Sequence, residues 1–412
     1  MSDQTTGRHS SVLDNDDLLG EILLRVPPQP SSLPRVSLVC KHWRRVVSDP
    51  WFLRRFCAHH MKAPLLGFFE DRLQRYRQGK MLNDFVFNPI LEPPDCIPPQ
   101  RFSLGPALAS MGPVNRLLML GCRHGRVILT DMSSSSTSGS TVFVCDPITG
   151  NHERLVVPEE FSSLGDFMNG TVFCGASERG HVHGACHSSP FKVILVYMSR
   201  NDCRPIACVY SSETRTWGNT IRHGDHQCKI IDISSTLIAH SLYWKSLYSR
   251  DEDHVERFVP KPGLLKFDLD RQSLVVLKGP PIGYFGRSKI IKTVDEGVGI
   301  ATLSNGTMQL RVWHSNVNCH DVATWVLFKT VDLYSIFGLQ KHESMGGGIL
   351  AYDEDGGILF LCVDYSLFLL QLDTMQFKRH HSMERRGFGT ATAGVGMMEM
   401  IFRMIRKMIS WV

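Results

Sequence analysis

Five stretches of the chain repeat one layout, and that repeat limits the fold more than any single segment does. TVFVCDPITGNHERLVVP, IACVYSSETRTWGN, GLLKFDLDRQSLVVLKGPP and SLFLLQLDTMQFKRHHS each join an apolar strand to a second strand through a short polar turn. LRVWHSNVNCHDVATWVLFKTV is a longer-looped version. Aligned on Asp146, Ser211, Asp268, His314 and Gln371, the units recur every ~45–65 residues, the spacing of propeller blades. Further strand candidates lie at Leu65–Phe69, Val127–Leu129, Lys192–Tyr197, Lys229–Ile233, Ser241–Trp244, Ile290–Thr293, Gly299–Leu303, Ile349–Tyr352 and Ile358–Val363. A sheet built this way has two apolar faces, and radial stacking covers each with a neighbour. A two-sheet sandwich would instead need strands every ~8–12 residues without the longer period. The expected body is therefore a β-propeller-like domain over residues 64–382, its blade count open. Residues 88–115, rich in proline, read as loop with at most one strand.

The amino-terminal text is different. Leu18, Leu19, Ile22, Leu23 and Val26 form a broad helical stripe, and Pro27-Pro28 ends it because neither residue offers a backbone N–H. A second helix, capped by Ser31 or Ser32, presents Leu33, Val36, Leu38 and Val39. A third carries Cys40, Trp43, Val46 and Val47, and Asp49-Pro50 closes it before a last turn with Trp51, Phe52, Leu53 and Phe56. So much apolar surface on about 45 residues cannot all be buried within so small a unit. No metal or disulfide spacing offers a staple, so a second protein is the expected cover. The rival reading is a helical hairpin packed on the chain's own body.

LLGEILLRVPPQPSSL followed by VCKHWRRVVSDPWF resembles an F-box over roughly residues 13–56, and the whole chain resembles plant F-box proteins with a C-terminal propeller-like region. The Val-Cys-Lys-x-Trp run and the Ser-Asp-Pro-x-Phe exit carry the likeness. One departure is visible: where many F-boxes open with Leu-Pro, this chain has Asp14-Asn15, with Leu13 displaced by one and a helix N-cap retained. The resemblance implies a multidomain chain, α then all-β: a three-helix F-box at 12–57, the propeller-like recognition domain, and an atypical tail at 383–412. It further implies a non-catalytic substrate-recognition subunit of an SCF-type ubiquitin ligase. Its partners would be a Skp-family adaptor, through that adaptor a cullin scaffold, and a protein target on the propeller. The residues expected to meet the adaptor are Leu18, Ile22, Leu23, Pro27, Leu33, Val39, Cys40 and Trp43, some of which must hold the helices together instead. A ligase-independent protein- or glycan-binding propeller with a degenerate F-box is the alternative.

In 412 residues, 21% charged content and a formal charge of +5 give no nucleic-acid signature, although Arg44, Arg45, Arg54 and Arg55 form a basic face. The start is polar, without the apolar core of a secretory signal, so the 12 cysteines read as reduced thiols of a cytoplasmic or nuclear protein. The tail abandons the β cadence. Met397, Met398, Ile401, Met404, Ile405, Met408 and Ile409 fall on one face of a short amphipathic helix, too short and charged to cross a bilayer. Because the family it resembles usually continues in strand-like sequence here, the tail reads first as the product of an alternative exon or a mistaken gene model, then as a packing helix, then as a membrane-surface helix.

Catalytic patterns are weak. Gly297-x-Gly299 and Gly346–Gly348 lack a phosphate-loop lysine and fit hairpin turns. Asp251–Asp253 and Asp353–Asp355 lack calcium spacing. His181-x-His183 with Cys186-His187 holds zinc-type donors, but in Gly- and Ser-rich text that reads better as an ordinary turn. No cofactor, metal or catalytic residue is expected. Trp217, Trp244, Trp313 and Trp325 are expected mostly in blade packing.

Overall fold

The computed structural model describes residues 12–60, 64–75, 81–110, 117–132, 141–159, 167–176, 183, 186, 189–198, 204–222, 227–249, 261–282, 287–304, 307–317, 322–339, 347–363, 366–380 and 405–410. The amino-terminal module comprises α1 (Asp16–Leu23), α2 (Ser32–Ser37), α3 (Lys41–Val47) and α4 (Pro50–His60). Asn15 caps α1, its side-chain oxygen accepting from the N–H groups of Asp17 and Leu18 at 2.9 and 3.1 Å. The expected last turn is a full helix, α4. Asp49 accepts from the N–H groups of Trp51 and Phe52, and Pro50 occupies the first helical position, where its missing N–H costs nothing. Leu19, Leu23, Leu24, Val46, Val47, Phe52 and Phe56 make the module's own core.

Five antiparallel meanders follow as blades. The first is Leu117–Arg123, Arg126–Asp131, Thr141–Cys145 and His152–Val156. The second runs Phe167–Cys174, Phe191–Met198, Pro205–Ser211 and Thr216–Trp217, with Ile221–Arg222 added beside its third strand. In the third, Gln227–Ile230 and Thr236–Ile238 both pair Ser241–Ser249, followed by Lys261–Asp268 and Ser273–Lys278. Ser288–Lys292, Val298–Leu303, Gln309–Val317 and Ala323–Asp332 form the fourth. Gly347–Asp353, Ile358–Val363, Ser366–Gln371 and Phe377–His380 form the fifth.

The repeat seen in sequence is the outer hairpin of each blade, and its turn chemistry is shared. Gly150, Arg215, Gln272 and Met375, each four residues after an aligned position, take positive φ of 75°, 56°, 48° and 57°. Asp146 and Asp268 hold their turns by accepting two backbone N–H groups each. In the fourth blade the aligned His314 lies within a strand rather than at its end.

A sixth sheet closes the ring. The hairpin Leu65–Arg75 with Met81–Pro89 pairs on its other edge with Ile405–Ser410, in the register Leu65 opposite Ser410 and Phe68 opposite Met408. Here the structure corrects the expectation of a carboxy-terminal helix: residues 405–410 are an antiparallel strand, while 397–404 lie outside the described residues. Backbone pairing to an open sheet edge outweighs the helical spacing of the apolar residues. Gly67 lets the hairpin close, since a Cβ there would stand 2.3 Å from the Asn88 carbonyl oxygen. The proline-rich stretch adds short helices at Pro99–Phe102 and Gly105–Ser110, and Phe102, Leu104 and Ala107 of this stretch cluster with the hairpin's core residues.

Apolar clusters fill each gap between neighbouring sheets. Leu120, Val144, Val193 and Tyr210 join blades one and two, and Ile194, Trp244 and Phe267 join two and three. Ile290 and Leu277 join three and four; Leu310, Leu361 and Phe368 join four and five. Phe68 with Phe360, and Phe69 with Phe143, seat the closing sheet between the fifth and first blades. Trp244 is fully buried, and the indole N–H groups of Trp217 and Trp325 donate to Val156 and Lys278 carbonyls of the preceding blade at 2.9 and 2.7 Å.

Polar ties also span the blades. Buried Arg123 of blade one donates to Glu354 (2.9 Å from Nη2 to Oε2), to the Thr171 hydroxyl and to the Ser235 carbonyl. Glu354 also accepts from the Leu237 N–H at 2.6 Å. Burial alone would raise the Asp232 carboxyl, but Lys289 at 2.6 Å and Lys245 at 3.5 Å outweigh it and hold it well below the usual range. Removing one partner of a buried pair strands the other's charge, so Glu354→Ala should destabilise the body by about 3–5 kcal/mol in urea denaturation.

Asp353 is the reverse case. Burial, then the Asp355 charge, pushes its carboxyl up to about 7 from an ordinary 3.8, although Gly356 donates its N–H to it at 2.8 Å. Across that window the folded chain holds a proton that the unfolded chain has released, so this group's stabilisation is present at acid pH and lost as pH rises towards neutrality. Asp353→Asn should flatten the fall in urea midpoint between pH 5 and pH 8; an unchanged slope would show that Asp353 does not titrate there.

Candidate functional site

The helical module keeps an apolar outer surface that nothing in the described chain covers. On α1, Leu18 is 48% exposed and Ile22 45%, one turn apart on one face. The connection from α2 to α3 adds Leu38 at 75% and Val39 at 60%, and α4 adds Trp51 at 57%. Leu13 and Leu53 are exposed as well, as are Pro27 and Cys40.

Of the residues expected at a docking surface, Leu18, Ile22, Pro27, Val39 and Cys40 are therefore outward. Leu23 is not: at 2% exposure it belongs to the module's own core, because it sits about 100° round the helix from Ile22. Leu33 and Trp43 are half-buried against that core. Cys40 has a local role too, its sulfur accepting from the Trp43 N–H at 3.4 Å as the cap of α3. Sequence reasoning left Leu13, Leu38, Trp51 and Leu53 off the surface; their signal was apolar text beside proline and aspartate breaks, where a helix cannot tuck every side chain inward.

Ion pairs frame this face. Asp16 on α1 pairs with Arg45 of α3 at 2.9 Å and lies 3.3 Å from His42. Glu21 pairs with Arg55 of α4, whose hydrogen bond holds the glutamate carboxyl below its ordinary range. The Arg55 guanidinium stacks over Trp51 at 4.5 Å. The shared core holds α1 against α3 and α4, and these contacts, being exposed, add little stability. The module meets the body where the Ser31 N–H donates to Asp95 at 3.0 Å, an interaction that holds the Asp95 carboxyl low.

Elsewhere, Gly297 lies in the turn between Ser288–Lys292 and Val298–Leu303, whereas Gly299 lies within the second of these strands, opposite Ile291. Asp251–Asp253 lie outside the described residues, and Asp353–Asp355 form a turn tied to the polar network above. His181 and His187 also lie outside the described residues, whereas His183 and Cys186 come together with Cys174, a residue the sequence did not single out. A groove of about 520 Å³ between blades one and two, lined by Arg126, Glu153, Phe191 and Arg215 among others, opens nearby. No helix among the described residues is long and apolar enough to cross a membrane.

Residues 15–55 match the F-box domain family. Comparison with curated proteins finds no match. Among solved structures, the body is similar to a periplasmic gluconolactonase of Pseudomonas aeruginosa at 14% identity, covering 79% of this chain and 85% of that one with a TM-score of 0.37. It is similar to the β-propeller domain of a trilobed protease of Pyrococcus furiosus at 10% identity, covering 64% and 84% with a TM-score of 0.31. A luciferin-regenerating enzyme is similar at 7% identity over 60% and 69%, with a TM-score of 0.32. Likenesses this distant carry nothing about activity.

The division between core and surface is directly testable. Leu23→Ala should cost the module about 2–5 kcal/mol, seen as faster hydrogen exchange across residues 16–60, whereas Leu18→Ala should change exchange by less than about 0.5 kcal/mol.

Proposed function

We propose that this protein is a non-catalytic, substrate-recognition subunit of an SCF-type ubiquitin ligase, acting in the cytoplasm or nucleus. Its F-box, residues 12–57, docks on a Skp-family adaptor, and the domain from residue 64 onward holds a target protein. The observation that carries this reading is the coincidence of the F-box match at 15–55 with an uncovered apolar face on those same helices. Exposed Leu, Ile, Val and Trp on a module with a fixed internal frame is what a shared core between two proteins requires.

On this reading Leu18, Ile22, Leu38, Val39 and Trp51 enter the adaptor's apolar surface, with Pro27 and Cys40 at its margin. Leu33 and Trp43 act from beneath by holding the helices. Asn15 supplies the helix start that Leu-Pro gives in many F-boxes, and Leu13 remains exposed beside it. The adaptor then joins a cullin scaffold, and the target is held near the ubiquitin-charged enzyme. No bond is made or broken in this chain: tethering raises the local concentration of the reactants and so lowers the entropic part of the barrier.

Co-expression with a Skp-family adaptor tests the proposal. The full chain should co-elute with the adaptor as one complex. Leu18→Asp with Ile22→Asp should weaken capture by at least ~100-fold, because two charges would be buried without partners, while the thermal midpoint of the free chain stays in place. Undiminished capture by the double variant, or no capture by the wild-type chain, would overturn it.

A further inference from the structure

We infer that Cys174, His183 and Cys186 form a zinc site on the rim of blade two, against blade one. It is independent of the F-box, and its failure would leave the adaptor reading untouched. Cys174 ends the first strand of blade two, and His183 and Cys186 lie in the connection leading to the second strand. Their donor atoms all lie within 4.8 Å of one another, and the Cys186 sulfur stands 3.6 Å from His183 Nδ1. A tetrahedral zinc with bonds of about 2.3 Å to sulfur and 2.0–2.1 Å to nitrogen places such donors roughly 3.5–3.8 Å apart. The Cys–His separation already matches that figure, so the sulfurs need only close in by small side-chain rotations. Two thiolates and one imidazole suit a borderline-soft divalent ion, and exclude magnesium or calcium, which take oxygen donors.

The surroundings hold the donors in place. The His124 ring, at the hairpin of blade one's first two strands, stacks on His183 with centroids 3.6 Å apart and planes within 8°. His124 Nδ1 also accepts from the Cys174 N–H at 3.0 Å, so one residue of blade one orients two of the three donors. Arg126, buried at 4% exposure, donates to the carbonyls of Cys186 and Ser189 and fixes the connection from the other side. Cys174 and Cys186 are buried and His183 is exposed, so the cluster reaches solvent on its histidine side. Arg126, Ser189 and Phe191 also line the neighbouring groove, so the ion would fix one wall of it.

Metal analysis of the full chain, purified without chelator, should give about one zinc per chain. Cobalt substituted for zinc should produce a thiolate-to-cobalt charge-transfer band, falling to about half in Cys174→Ser and in Cys186→Ser and unchanged in Cys96→Ser. His183→Ala should weaken zinc at least ~10-fold in chelator competition, as loss of a direct ligand exceeds loss of an outer one. Should the serine variants fail to fold, the wild-type cobalt spectrum alone decides. Substoichiometric zinc with no charge-transfer band, or a band indifferent to these substitutions, would overturn the site and leave the 3.6 Å contact as a thiol–imidazole hydrogen bond.

Discussion

Every sheet of the body has two apolar faces, and the structure depends on each finding a neighbour. Six interfaces do this in sequence around the ring, each a cluster drawn from two consecutive sheets. None of these sheets could stand alone in water, since half its apolar surface would be exposed. Closure is therefore the governing constraint, and it falls on the sheet assembled from Leu65–Pro89 and Ile405–Ser410, whose sequence separation is the largest in the body. The polar groups enclosed by closure must pair within the ring. Arg123 and Glu354, from the first and fifth blades, satisfy that need across sheets rather than within one.

The helical module solves the same problem differently. Its core consists of seven residues from α1 and its C-cap Leu24, α3 and α4, with Val26, Leu33, Val36 and Trp43 packed at the edge. That leaves Leu18, Ile22, Leu38, Val39 and Trp51 in solvent, with the Asp16–Arg45 and Glu21–Arg55 pairs at the edge of this face. A ring that covers itself beside a bundle that does not is a division of labour visible in burial alone. The bundle leaves apolar surface open, and the closed ring offers loops and grooves that can vary without loss of the core.

Much of this was legible in the text because the signals are local. A polar residue at a strand end, followed four residues later by a residue at positive φ, marks the outer hairpin, and that turn recurs at Asp146, Ser211, Asp268 and Gln371. Asn15 reads as a cap for the same reason. Partition of the apolar stripe on α1 was not legible: Ile22 and Leu23 are adjacent and equally apolar, and only packing against Val46 and Phe56 distinguishes them. Cys174 was invisible as a ligand because it lies at a strand end, well before His183 and Cys186 in sequence.

The carboxy-terminal strand shows where a local signal loses. Apolar residues at 401, 404, 405, 408 and 409 have helical spacing, yet a short isolated helix is marginal in water and gains stability mainly by packing. Against it stands the free edge of Leu65–Arg75, whose N–H and C=O groups would otherwise remain unpaired at the seam of the ring. Backbone pairing makes little demand on side-chain identity, so a segment with the wrong period can still take the position. Two register shifts, between Leu65 and Gly67 and between Phe69 and Glu70, show the strand bending to do so. Periodicity predicts what a segment would do alone; the unpaired edge at the seam decides what it does here.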